Sequence, residues 1–169
     1  MKQLKKLTLI LVLFVAATGF VHAQSKIAHI NVSELLSEMP EMKAAQGELK
    51  KLQETYRADI ESSMTELKNK FTQYQNEAAS MSEEENQKRA QELQGFEKNI
   101  GEAQQAAQQE LSKKQAELFE PISKKAKAAI EKVAAAQGYD YVVDASPGLG
   151  VIVAKGKNLL PEVKQELGF

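Results

Sequence analysis

The sequence predicts an α+β chain, mainly α, in which a long antiparallel coiled-coil hairpin stands on a small, oligomerising β body. Three observations predict it. Residues 42–136 contain one proline, Pro121, and no cysteine, and their apolar residues recur every three or four positions. That is the period of long helices that pack on each other or on copies of themselves. Both flanks of the stretch read instead as short strands separated by turn residues. Finally, about 20 mature residues precede the hairpin and about 32 follow it, below the size at which one core usually suffices. Strand edges on so small a body invite pairing with other chains, so several copies closing their strands into one barrel is the expected solution.

The chain opens on a segment that reads as an address. Lys2, Lys5 and Lys6 precede an apolar run, Leu7 to Val21, and Val21-His22-Ala23 places small residues at the −3 and −1 positions. This layout predicts a secretory signal peptide over residues 1–23, cleaved after Ala23. The run of about 15 residues is short for the ~20 that span a bilayer, which weighs against an uncleaved anchor. No Cys follows the cleavage site, so a lipid-anchored form is excluded and disulfides contribute nothing. The expected product is a soluble periplasmic protein starting near Gln24. Its body comprises residues 24–40 and 122–169, and its arm residues 41–121 with a tip near residue 82.

Lys26 to Val32 alternates apolar and polar residues and is rich in β-branched ones, a strand. Asn31 or Ser33 can cap a short helix through Leu36, and Pro40 suits the first turn of the next helix. The first arm is expected from Glu41 to Ser80, with a seam running from Leu49 through Tyr56, Ile60, Leu67 and Tyr74 to Met81. Its steps of three and four average near 3.5, as a coiled coil requires. Ser82 followed by Glu85 is a capping box, and Glu83, Glu84 and Glu85 suit the positive end of a helix. Capping explains this acidic cluster with less than a metal site would. The second arm is expected from Glu83 to Gln137, and its ~54 residues would span about 80 Å. Gly47, Gly95, Gly101 and the run Gln104–Gln109 loosen the hairpin, and Pro121 should bend it. Gly138 ends the arm. Tyr141 to Asp144 and Gly150 to Ala154 are expected strands, with turns at Ser146-Pro147-Gly148 and Gly156-Lys157-Asn158. Asn158 can cap a last helix, Leu159 to Leu167.

Charge narrows the partners. Removal of the signal leaves 19 basic against 23 acidic residues, a net of −4. Residues 41–120 carry 16 acidic and 11 basic side chains, whereas residues 121–169 carry 5 and 7. No concentrated basic face results, so nucleic acid is not an expected partner. Chemistry is also missing. The mature chain has one His, His29, and no Cys, which removes thiol chemistry and the usual zinc ligands. Asp140 and Asp144 flank a strand and suit turn and strand-end roles better than acid/base work. Gly148-Leu149-Gly150 lacks the third glycine and the helix of a phosphate loop. No catalytic residue, cofactor or metal site is expected.

Two end motifs, KIAHINVSELLSEMPEMKAAQGEL and AIEKVAAAQGYDYVVDASPGLGVIVA, together with the order of parts, resemble the Skp/OmpH family of periplasmic chaperones over essentially the whole mature chain. The resemblance implies a jellyfish-shaped homotrimer with a shared β-barrel and three helical arms around a cavity. It also implies an ATP-independent holdase that binds unfolded outer-membrane proteins. The best-known members have strongly basic arm tips, whereas this tip is Ser82-Glu83-Glu84-Glu85. No lipid-binding site is therefore carried over, and weak contact with a membrane surface is the most expected of a lipid partner.

A holding mechanism needs accessible apolar surface that fits many clients. Met64, Phe71, Tyr74 and Met81 on the first arm, with Leu93 and Phe96 on the second, are the best candidates, although the seam between the arms accounts for each of them more simply. Met42, Met64 and Phe119 leave the seam in part and are expected to line a cavity. The competing reading is a structural or adaptor coiled coil that bridges periplasmic partners. The short segment before the hairpin counts against it, since such adaptors carry large β domains on both sides.

Overall fold

The computed structural model describes residues 25–169; the expected signal peptide and its cleavage site lie outside the described residues. In chain order the elements are strand β1 (Ile27–Ile30), helix α1 (Val32–Glu38), helix α2 (Pro40–Glu77), a 3₁₀ turn (Ala78–Ser80), helix α3 (Glu83–Ala136), strands β2 (Tyr141–Asp144) and β3 (Lys157–Asn158), and helix α4 (Leu160–Leu167). The two long helices pair over their length and form the hairpin; the remaining elements gather at its base.

Local signals set most of the boundaries. Asn31 caps α1, its Oδ1 accepting the Glu34 N–H at 3.0 Å, and α1 runs on to Glu38, past the expected end at Leu36. Pro40 takes the first position of α2. Ser82 Oγ accepts the Glu85 N–H at 3.2 Å and starts α3. The Glu85 carboxylate lies 3.7 Å from the Arg89 guanidinium. α3 runs through Pro121 without interruption. It closes in a Schellman motif: the Tyr139 N–H donates to the Ala134 carbonyl and the Gly138 N–H to that of Ala135. Gly138 supplies the left-handed residue this requires, with φ +69°. Asn158 accepts the Leu160 N–H at 3.0 Å, so α4 starts one residue late.

The sheet has the order β2-β1-β3, with both neighbours parallel to β1. Parallel pairing demands long crossovers, and here the whole hairpin is the crossover from β1 to β2. The expected third strand at residues 150–154 does not form. Residues 151–155 have no regular structure, and the ladder is made by Lys157 and Asn158, which had read as a turn. The reason is pairing: β1 has two edges, β2 takes one and residues 157–158 the other. Residues 150–154 are left without a partner strand among the described residues, and Ile152 is 96% exposed.

The core sits where the sheet meets the base of the hairpin. Ala28 and Ile30 of β1, Leu35 of α1, Met39 and Met42 at the start of the arm, and Leu159 and Val163 before and within α4 are buried together. Ile122, Ala126, Ala129 and Val133 of α3 close it from the other side. The small alanines let the sheet approach the helix closely. Asp144 ties the ends together. Its Oδ1 accepts the Ser146 hydroxyl at 2.6 Å, the Ser146 N–H at 2.9 Å and the Val32 N–H at 3.3 Å. Burial raises the Asp144 carboxyl pKa, but the Ser146 hydroxyl and the two amides together hold it below its ordinary value. Asp140 accepts the Lys26 N–H at 2.8 Å. Both aspartates are thus strand-end anchors.

Candidate functional site

Beyond the base, the arms have a thin seam. Leu49, Leu52, Tyr56, Ile60, Leu67 and Tyr74 of α2 are half-buried against α3, where Ile100 and Ala107 are the fully buried positions. Two helices can only half-cover each other's apolar stripe, and the residues that bulge from it stay wet. Met64 is 52% and Phe71 55% exposed, and Met81 is also exposed at the tip.

The arms carry an apolar groove on each side of the seam. One, of about 470 Å³, is floored by Tyr56, Ile60, Phe96 and Ile100 and opened by Ala103 and Ala107. Small side chains opposite large ones leave the gap: Ala106 and Ala107 of the run Gln104–Gln109 line it, while the glutamines of the run are exposed. The other, of about 230 Å³, is lined by Met64, Leu67, Phe71 and Leu93 with Lys68 and Glu97 at its border.

The candidate contact residues therefore fall into three environments. Met64, Phe71 and Met81 are exposed; Leu93 and Phe96 are half-buried on the two grooves. Tyr74 is half-buried, and its hydroxyl donates to Glu92 Oε2 at 2.7 Å. Met42 departs from expectation: it is 5% exposed and belongs to the body core, because α1 and α3 both fold back over the first turn of the arm. Phe119 is partly buried against the same core. Ala103 and Ala107 were missed as groove residues, since an alanine in a heptad pattern signals neither a gap nor what faces it.

Charged pairs clamp the arms across the seam. Lys70 meets Glu92 at 2.7 Å, Arg89 meets Glu77 at 2.9 Å, Lys114 meets Glu48 at 2.8 Å, and Lys125 meets Glu41. The Arg89 guanidinium also lies 4.5 Å from the Tyr74 ring centre. Lys70 and then the Tyr74 hydroxyl hold the Glu92 carboxyl below its ordinary value of 4.5. The Gln73 amide and then Arg89 do the same for Glu77, as does Lys125 for Glu41. A carboxylate depressed in the folded state stabilises it above the ordinary value, and that stability is lost as pH falls through the depressed one. Far-UV circular dichroism should therefore show the melting midpoint falling by several degrees between about pH 6 and about pH 3. A flat midpoint over that range would mean that the clamps contribute nothing.

Among the described residues, no three His, Asp or Glu side chains stand together as a metal site, and no helix is long and apolar enough to cross a membrane.

Comparison with known proteins gives a consistent picture. The family model described as outer membrane protein (OmpH-like) matches residues 26–167. The chaperone protein Skp of Pectobacterium atrosepticum is 25% identical over 155 residues, covering 92% of this chain and 93% of its own length. That of Photorhabdus luminescens is 26% identical over 145 residues, covering 86% and 87%. The crystal structure of an OmpH-like chain from Caulobacter crescentus CB15 superposes with a TM-score of 0.76 at 16% identity, over 86% of this chain and 85% of that one.

Proposed function

This chain belongs to the OmpH-like family of outer membrane proteins, and from that premise we propose that it is an ATP-independent holding chaperone of the periplasm. It takes unfolded outer-membrane proteins between its arms and keeps them from aggregating. The observation that carries this reading is the apolar surface left open along the hairpin: two grooves, with Met64 and Phe71 exposed on the smaller, and Met81 exposed at the tip. The relatives named chaperone protein Skp support it.

The mechanism follows from weak, numerous contacts. Single dispersion contacts are worth about 0.1–0.2 kcal/mol, so a client is held by their sum and no single side chain is essential. Methionines adapt to whatever shape is offered. Release needs no ATP because each contact is individually weak, and no catalytic step is involved.

Holding requires more than one arm. The outward face of the sheet presents Ile27, Tyr141 and Val143 to solvent, next to the unpaired segment holding Leu149, Ile152 and Val153. Association of three copies through these surfaces would bury them and set three arms around a common space. The processed protein, cleaved after Ala23, acts in the periplasm. Client proteins would be unfolded outer-membrane chains, and weak contact of the assembly with a membrane surface is compatible with the same arms.

The test is turbidity. Diluting an urea-unfolded outer-membrane β-barrel into buffer with excess processed protein should leave light scattering near baseline. Scattering that rises as it does without the protein would sink the proposal.

A further inference from the structure

We infer that the larger arm groove, between Ile60 and Ala103, docks one class of segment: an apolar stretch of non-native polypeptide that carries Lys or Arg. The inference rests on the holding function proposed above and narrows it to a substrate class.

Shape and charge both carry it. The groove is apolar at its floor and has room, at about 470 Å³, for a large side chain with its neighbours. Its charged lining residues are Asp59 and Glu110, with no Lys or Arg among them. Among the described residues neither carboxylate joins an ion pair, whereas ten other carboxylates of residues 41–120 do. Each acid is repeated seven residues on, Asp59 by Glu66 and Glu110 by Glu117, and these two are likewise unpaired among the described residues. Seven residues are two helical turns, so each pair stands on one stripe. Four carboxylates without an ion pair among the described residues thus stand on these two stripes, with one lysine, Lys113, between Glu110 and Glu117.

The other side differs. The smaller groove is bordered by Lys68 and Glu97 together, a cation beside an anion. A cation beside the larger groove meets two carboxylates at the rim of an apolar, partly water-excluded floor, where attraction is stronger than in bulk water. Tyr56 and Phe96 add aromatic faces.

Two fluorescent unstructured peptides with one apolar core, flanked by lysines or by glutamates, test this by anisotropy on the processed protein. The lysine peptide should bind about tenfold tighter at low salt. The double variant Asp59→Asn/Glu110→Gln should lose most of that ratio without changing helicity. Ala103→Leu, which fills the groove, should weaken both peptides. Equal affinities, a preference that survives the double variant, or indifference to Ala103→Leu would each overturn the inference. So would a change in assembly mass with Ala103→Leu, which would make the groove a contact between copies. The turbidity assay on the same preparation separates the two readings. If aggregation is still suppressed, only the charge preference falls; if it is not, the holding function falls.

Discussion

Replacing Ile152 and Val153 together with aspartate should turn the proposed three-copy assembly into single chains, read as light-scattering mass. Ile152 is 96% and Val153 68% exposed, on a segment with no strand partner among the described residues. Ile27, Tyr141 and Val143 form an exposed apolar face on the nearby sheet. Fully burying one large apolar side chain is worth about 1.5–3 kcal/mol, so five such residues per subunit supply on the order of 10 kcal/mol before the costs of association. Two buried, unpaired carboxylates would cost several kcal/mol at the same place. A weakening of assembly by several orders of magnitude follows. The arms, whose contacts are internal to the chain, should keep their helicity. An unchanged mass would show that the copies meet elsewhere, and a single-chain mass for the unaltered protein would remove the three-arm proposal.

Leu159→Ala should give the largest loss of stability of any single truncation tested, about 2–5 kcal/mol in a chemical denaturation measurement at fixed protein concentration. Leu159 is fully buried and closes the core between β3 and α4, and its N–H donates to the His29 carbonyl at 2.9 Å. Truncation leaves a cavity among Ile30, Leu35 and Val163, which are as deeply buried and held by three separate elements, so they cannot collapse inward freely. The contrast is Phe71→Ala, which removes a larger side chain from an exposed site and should shift stability by no more than about 0.5 kcal/mol while weakening client holding. A loss below about 1 kcal/mol for Leu159→Ala would mean that the body draws its stability from contacts between copies instead.

Much of the hairpin was legible in the sequence because its signals are local. The Ser82 cap, the Gly138 end and the 3.5-residue seam all act within one or two helical turns. They were read to within a few residues of where the elements start and stop. The groove residues were less legible. Phe96 and Ile60 advertise a seam, but whether Ala103 and Ala107 close it or leave it open depends on what α2 presents opposite them, some 45 residues away in the chain. Met42 shows the same limit from the other direction. Its heptad position suggested partial exposure, and the packing of α1 and α3 over it removed that exposure. Ser146 was read only as part of a turn, yet it is buried and accepts the Ser33 N–H at 3.0 Å.

By itself, then, the amino-acid order determined the paired helices, their ends, their reversal near residue 82 and their negative charge, since helix periodicity and capping are properties of neighbours in the chain. Only the tertiary structure decided that residues 157–158 rather than 150–154 complete the sheet, which methionines are covered, and where the grooves lie. A strand exists only by pairing, and a side chain is buried only by partners; both are supplied from distant parts of the chain.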